Sequence, residues 1–303
     1  MKNKNITITG GLGFIGGYIK DQLLENNQIT IIDKKTNTCL PTHPNLTIIN
    51  KDVNQIPLKE YLQDQDYIFH QSALVSVPES IKKPVQCYKD NLESTINILN
   101  ATIDTNIKKV MFASSSAIYG DNPNTPLNEN ETPQVLSPYA ASKISSEYIL
   151  QSHTESYGIP TASLRYFNVF GPGQDLSSPY AAVIPLFVKA LTNNKQATIF
   201  GDGEQTRDFI YVEEVAKANI HIAEHKNATG AFNIATGKPT SINTLYNTIM
   251  EIVGKNISPE YSDPRAGDIK HSLADTKKLE KTGFQVHVDL KKQLTETVNG
   301  HLD

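Results

Sequence analysis

Cysteine is scarce: Cys39 and Cys87 are the only two in 303 residues, and they form no metal-ligand spacing. So few thiols suit a reducing, cytoplasmic compartment. No basic block stands out either. Lys and Arg number 28 against 32 Asp and Glu, a net charge of −4, which leaves no track for a phosphate backbone, so nucleic acid is not an expected partner. Apolar runs stay too short to span a bilayer and no cleavable leader is visible, which sets a membrane aside. Internal repeats and low-complexity tracts are missing, and with them the solenoid and disordered classes. What remains is a soluble chain longer than one average domain and short for three, hence one large α/β unit with a smaller lobe.

The most informative stretch lies at the start. Ile6-Thr7-Ile8-Thr9 is a β-branched run that ends in Gly10-Gly11-Leu12-Gly13-Phe14-Ile15-Gly16-Gly17, after which Tyr18, Ile19, Leu23 and Leu24 recur at helical spacing. Such a strand, glycine turn and helix let a backbone approach a pyrophosphate at the positive end of the helix. The next strand, Ile29 to Ile32, ends in Asp33, where a carboxylate hydrogen-bonds a ribose diol and repels a 2′-phosphate. NAD is therefore favoured over NADP, with Lys34 and Lys35 pulling slightly the other way. Further strands, Leu46–Ile49 and Tyr67–Phe69, lead to Asp52-Val53, placed to flank an adenine, and to His70-Gln71-Ser72-Ala73. A helix from about Tyr88 to Thr105 carries Leu92, Ile96, Leu99 and Ile103, and a fifth strand, Lys109–Ala113, opens into Ser114-Ser115-Ser116. Strands alternating with helices imply a Rossmann-type doubly wound parallel sheet whose ligands bind beyond the carboxyl ends of the strands.

Tyr139 and Lys143 are four residues apart in a segment that reads as a helix, so they share a face. A free phenol titrates near ~10, and an adjacent ammonium favours its ionised form. The loop from Asp121 to Pro138 is placed to lie over the pocket. After a sixth strand, Thr161–Phe167, the run Asn168-Val169-Phe170-Gly171-Pro172-Gly173 breaks the pattern. The chain then divides into a dinucleotide-binding domain over residues 1–170, with 208–236 packing back on it, and a smaller C-terminal α/β substrate lobe over 171–303. Signals in that lobe are a helix from about Ala182 to Leu191, the run Thr198 to Phe209, Arg265-Ala266-Gly267-Asp268 and an amphipathic C-terminal helix. His221 and His225, with no third ligand in view, read as ordinary helix residues, and no metal is expected. The pairs Lys82-Lys83, Lys108-Lys109 and Lys291-Lys292 read as solvated faces.

Taken together, Thr9 to Gly16, Asp33, Ser114 to Ser116, Tyr139-x-x-x-Lys143, Arg165-Tyr166-Phe167-Asn168 and Gly201 through Phe209 closely resemble the extended short-chain dehydrogenase/reductase family. Within it the chain looks most like the UDP-hexose 4-epimerases. Its His70-Gln71, Ser76-Val77-Pro78, Tyr180 to Pro185 and His271 to Asp275 resemble the branch that handles N-acetylated sugars. The resemblance implies an isomerase that borrows and returns a hydride through bound NAD, with a UDP-sugar as substrate. It makes Tyr139 the proton-transfer residue, Ser115 its hydroxyl partner and Lys143 the ribose ligand that lowers the phenol pKa. Gly10, Gly13, Phe14, Ile15, Gly16, Asp33, Asp52, Val53, Gln71, Ala73 and Tyr166 join Tyr139 and Lys143 around the cofactor. Ser76, Ser116, Asn168, Val183, Phe200, Arg207, Arg265 and Ser272 join Ser115 and Tyr139 around the sugar nucleotide, with Asn168, Arg207 and Arg265 on the diphosphate and Asn91 a weaker candidate. Ser272, where sugar-restricted relatives carry a large aromatic, leaves room for an acetamido group. The resemblance also implies a homodimer paired through a four-helix bundle, with Ile98 and Tyr148 at the interface. Alternatives weighed against this are a uronate 4-epimerase, a 4,6-dehydratase or decarboxylase, and a non-catalytic dinucleotide sensor. The dehydratase pattern asks for acidic residues after Ser115, where Ser116 and Ala117 stand, and a sensor would not need Tyr139 and Lys143.

Overall fold

The computed structural model describes residues 1–35, 42–174, 183–264 and 269–301. The chain opens with β1 (Asn5–Thr9), α1 (Phe14–Leu23), β2 (Gln28–Ile32), β3 (Leu46–Ile49), α2 (Leu58–Leu62) and β4 (Tyr67–His70). Next come α3 (Val77–Lys82), α4 (Pro84–Tyr88), a π-turn at Lys89–Glu93, α5 (Ser94–Thr102), β5 (Lys109–Ser115) and α6 (Pro138–Tyr157). β6 (Thr161–Tyr166) and β7 (Asn168–Phe170) lead into α7 (Val183–Thr192), β8 (Thr198–Phe200), β9 (Thr206–Tyr211), α8 (Val212–Glu224) and β10 (Gly230–Ile234). β11 (Pro239–Ser241), α9 (Ile242–Val253), β12 (Glu260–Ser262), α10 (Lys277–Glu280) and α11 (Leu290–Asn299) complete the order.

Seven strands form one sheet in the order β10-β6-β5-β4-β1-β2-β3, every pair parallel. Parallel strands covered on both faces read as near-continuous apolar runs, and β6 is buried at every position. One face packs with α1 and α8, through Ile6, Ile19, Leu164, Val215 and Ile222. The other packs with α5 and α6, through Ile68, Ile98, Phe112 and Leu150. Register brings the carboxyl ends level: Thr9 lies opposite Ile32 and His70, and Ser115 opposite Tyr166. After β3 the chain crosses back over β2 and β1 to lay β4 on the other side of β1, so the winding reverses between β1 and β4, which opens a crevice above these ends.

A second apolar cluster joins α7, α9 and α11 to β7, β8 and β9, through Phe187, Tyr246, Leu294, Phe170 and Ile199. No described helix is long and apolar enough to cross a membrane.

Four expectations change. Asn168-Val169-Phe170 does not end regular structure: it forms β7, which leaves the large sheet to pair with β9. The helix expected from Tyr88 to Thr105 is interrupted by the π-turn, whose extra residue rotates everything after it. Ile96 therefore faces outward, while Ile98, expected at an interface, is 1% exposed inside the core. The face that packs on α6 is polar, with Asn91 donating to Ser142 Oγ at 3.0 Å, Ser146 to Thr95 at 3.4 Å and Thr102 paired with His153 at 2.9 Å. Hydrophobic periodicity does not register such a seam. Lys109 is buried, not solvated: its ammonium donates to the carbonyls of Ile222, His225 and Ala228 at 2.6–3.1 Å, at the C-terminal end of α8 and in the turn that follows it.

Candidate active site

The glycine turn shapes the floor of a cavity of about 590 Å³. Gly10 has φ +70, and a Cβ on Gly16 would sit 2.3 Å from the Gly10 carbonyl, so neither position tolerates a side chain. No side chain among the described residues caps α1 at Gly13, which leaves first-turn N–H groups for an anionic ligand. Asp33, at the end of β2, is oriented by two backbone donors: Leu12 N to Oδ2 at 3.0 Å and Lys35 N to Oδ1 at 2.9 Å. Lys34, in the wall of the same cavity, pairs with Asp90 at 3.1 Å and Asp52 at 3.6 Å. These residues fit a dinucleotide: a Cβ-free cradle at a helix N-terminus and a fixed carboxylate one strand away.

Every residue expected to face the cofactor lines this cavity, from Gly10, Gly13, Phe14, Ile15 and Gly16 through Asp33, Asp52, Val53, Gln71 and Ala73 to Tyr139, Lys143 and Tyr166. The single Tyr166 hydroxyl proton is shared between Gln71 Oε1 at 3.1 Å and Asn219 Oδ1 at 3.0 Å, tying β6 to the loop after β4 and to α8. Behind them His70 is buried between Thr9 at 2.7 Å and Thr95 at 3.1 Å, and burial, helped by the nearby Lys143 charge, brings its pKa to about 3. It is neutral at physiological pH.

Tyr139 sits in the first turn of α6, whose start is fixed by Ser137 accepting from Ala140 N at 3.1 Å, by Pro138 at the first position and by Tyr139 N donating to Ser80 Oγ at 3.2 Å. Lys143 follows one turn later, its ammonium donating to Ala113 O at 2.7 Å. Ser115 accepts from Ala117 N at 3.1 Å, which leaves its hydroxyl proton for the Tyr139 oxygen. All three expected catalytic residues line the same cavity. Burial raises the Tyr139 pKa, and the opposing influence is the Ser115 hydrogen bond. Lys143 is itself brought down to about 7 by burial.

A second cavity of about 570 Å³ opens beside the first and shares Asn168, Val169 and Gln174 with it. Val183, Phe200 and Arg207 line its walls together with Ile184, Phe187 and Phe209. Arg207 donates to Thr206 O at 2.9 Å. The remaining expected substrate residues are not drawn in. Ser76 caps α3 by accepting from Glu79 N at 3.1 Å, Ser116 begins the 3-10 turn Ser116–Tyr119, and Ser272 stands against β9 with its N donating to Thr206 O at 3.1 Å. None of these three lines either cavity. Arg265, like Gly267, Asp268 and Tyr180 to Ala182, lies outside the described residues. No described residue of the Asp121–Pro138 loop lines either cavity; Leu127 instead pairs with Ala274.

Sequence reasoning missed Gln174. Its side-chain oxygen is buried where the two cavities meet and has no hydrogen-bond partner among the described residues, while its amide donates to Val169 O at 3.4 Å. A buried unpaired acceptor is costly unless a ligand supplies the donor. The only sequence signal was the glycine-rich turn just before it.

Comparison with known proteins agrees with this geometry. A model of the NAD dependent epimerase/dehydratase family matches residues 6–235. The solved structure of a UDP-N-acetylglucosamine 4-epimerase from Methanobrevibacter ruminantium M1, in complex with UDP-N-acetylmuramic acid, superposes with a TM-score of 0.97 at 49% identity, covering 100% of this chain and 99% of that one. That of a UDP-glucose 4-epimerase from Thermotoga maritima, with UDP-glucose, gives 0.92 at 33% identity over 98% of each chain. The UDP-glucose 4-epimerase of Mycolicibacterium smegmatis is 30% identical over 302 residues, 96% of each chain.

Proposed function

We propose that this chain, which belongs to the NAD dependent epimerase/dehydratase family, is a UDP-sugar 4-epimerase acting on UDP-hexoses, N-acetylated ones included. The observation that carries the reading is the placement of Tyr139, Ser115 and Lys143 in the wall of a dinucleotide-shaped cavity that meets a second, Arg207-lined cavity at Asn168 and Gln174. Residues 1–170 with 208–236 hold the dinucleotide, and the remainder of 171–303 holds the sugar nucleotide. The glycine turn and the N-terminus of α1 receive the pyrophosphate, Asp33 the adenosine ribose, and Asp52 and Val53 flank the adenine. NAD, when bound, supplies the hydride acceptor that oxidises the sugar carbinol transiently and returns the hydride, so no net redox change results.

Tyr139 takes the proton of the sugar 4-hydroxyl and gives it back after the ring presents its other face. Ser115 holds the same oxygen, and the α6 N-terminus favours negative charge there. Lys143, pinned to Ala113 O, directs its remaining protons toward the nicotinamide ribose. Arg207, with Arg265, neutralises the diphosphate. Gln174 offers to a donor on the sugar an oxygen that has no partner among the described residues, and the 49% identity to a UDP-N-acetylglucosamine 4-epimerase supports an N-acetylated sugar as substrate. The enzyme works in the cytoplasm as a homodimer.

The test is to incubate the purified protein separately with UDP-glucose, UDP-galactose, their N-acetyl forms and UDP-glucuronate, following products by proton NMR and mass. The expected product has unchanged mass and the inverted 4-centre, and Tyr139→Phe lowers turnover by roughly 10²–10⁴-fold with the dinucleotide still bound. A product lighter by water or carbon dioxide, or full activity in Tyr139→Phe, overturns the assignment.

A further inference from the structure

One turn beyond Lys143, α6 carries Glu147, which forms a two-pronged pair with Arg165 of β6. Both side chains are more than nine-tenths buried. Arg165 Nη2 donates to Glu147 Oε2 at 2.7 Å, and Nε to the two oxygens at 3.1 and 3.2 Å. Ser114, the neighbour of Ser115, donates its hydroxyl to the same carboxylate. The remaining Arg165 nitrogen donates to Tyr119 OH at 2.9 Å and Glu129 O at 3.0 Å. Tyr119 in turn donates to Asn233 Oδ1 at 2.6 Å, and the Asn233 amide donates to Leu127 O at 2.8 Å and Asp275 O at 3.1 Å. One cluster thus joins α6 to β5, β6, β10, the 121–137 loop and the strand-like segment at Asp275. Apart from Ser114, none of these side chains lines either cavity.

A buried ion pair is a poor way to gain stability, since desolvation offsets most of the attraction. Its strength is directional: the planar guanidinium fork fixes both distance and rotation. α6 needs such a fix. Its seam with α5 and the π-turn is made of small polar side chains, Ser142 and Ser146 against Asn91 and Thr95, whose hydroxyls have alternative partners along the helix, such as Ser146 donating to Ser142 O at 2.9 Å. Glu147 stands two turns from Tyr139 on the same face, so a small rotation at Glu147 displaces the Tyr139 oxygen from Ser115 and Lys143 from Ala113 O.

We propose that Glu147 and Arg165 are a positioning pair for the proton transfer: they set the rotation and axial position of α6 against the end of β5, and so the alignment of Tyr139 with Ser115. The proposal rests on the reading of Tyr139 as the proton-transfer residue. Misplacement of a catalytic group by about 1 Å is enough to cost about 10²-fold in rate.

The test compares Glu147→Gln and Arg165→Lys, each alone and combined with Tyr139→Phe, in the NAD-loaded enzyme. Melting temperature, bound NAD per chain, kcat and KM for the UDP-sugar are read for each. At a temperature well below melting, the single variants should keep their NAD and a KM within about twofold of wild type while kcat falls about tenfold or more. In the Tyr139→Phe background the same substitutions should change the residual rate by less than about twofold, because the group they position is gone. Unchanged kcat, loss of NAD in step with activity, a fully additive loss in the Tyr139→Phe background, or failure of both variants to fold would each overturn the proposal. A wild type inert on every UDP-sugar overturns the assigned reaction and this proposal with it, whereas an active wild type with unaffected variants overturns the positioning pair alone.

Discussion

At Tyr139 and Lys143 burial drives both groups toward neutrality, raising the phenol and bringing the ammonium to about 7. Tyr139 reaches its basic form through local help, and the Ser115 hydrogen bond is one source of it. Ser115→Ala removes a hydrogen bond that favours the phenolate, so the Tyr139 pKa rises further. Activity that needs the phenolate is present above that pKa and lost below it. The acid limb of kcat/KM therefore moves to higher pH, and turnover at neutral pH falls by about 10²-fold, as for loss of one donor to a developing oxyanion. A pH series of kcat/KM on wild type and variant checks this, and an acid limb that stays in place removes Ser115 from the proton path. Tyr139, Lys143 and Ser115 were legible because their chemistry depends on residue type and spacing. Glu147 and Gln174 were not: a glutamate at helical spacing looks solvated until its partner on β6 is known, and an unpaired amide oxygen is a fact of three dimensions alone.

Among the elements, the π-turn at Lys89–Glu93 ties α6 to the loop after β4. It turns Asn91 inward, where Oδ1 accepts from Leu74 N at 2.7 Å and Nδ2 donates to Leu74 O at 3.1 Å, so that the side chain replaces a strand partner for the loop carrying Gln71, Ala73 and Val75. The same amide donates to Ser142 Oγ, between Tyr139 and Lys143. Asn91→Ala leaves the Leu74 peptide without these partners beside the cofactor cavity. A cost of about 1–3 kcal/mol in stability is expected for each buried group left unpaired, read as a lower denaturant midpoint, together with faster loss of bound dinucleotide on gel filtration. A variant that retains NAD and stability as wild type would leave Asn91 without this role. The π-turn also explains where periodicity misled. Strands of the large sheet were visible as β-branched runs, and α1 as a stripe behind the glycines. The stripe Leu92, Ile96, Leu99 and Ile103 assumed an uninterrupted α-helix, and one inserted residue put Ile96 outside and Ile98 inside.

For the whole molecule, Tyr139, Ser115, Lys143 and Arg207 all line the cavities of one chain, so dimerisation is expected to act on stability. The outward side of the α3–α6 layer is nonetheless apolar. Ile81 of α3, Val85 and Tyr88 of α4, Ile96 of α5 and Tyr148 of α6 are 39–67% exposed, and α6 packs against each of the other three helices. Scattered surface apolar residues are ordinary, but five on one helical layer suit a self-complementary two-fold contact. A stable contact of this kind buries about 1,200–2,000 Å², more than any one of these helices offers, so it has to use the layer as a whole. Light scattering at micromolar concentration should give about twice the 33.5 kDa chain mass. Ile96→Asp combined with Tyr148→Arg should halve that mass, because each places a charge where the partner's apolar surface would desolvate it. The halved form should keep its bound NAD and its Tyr139-dependent turnover while melting at a lower temperature. A wild type already at the mass of one chain removes the dimer. A double variant that stays dimeric moves the contact to another face.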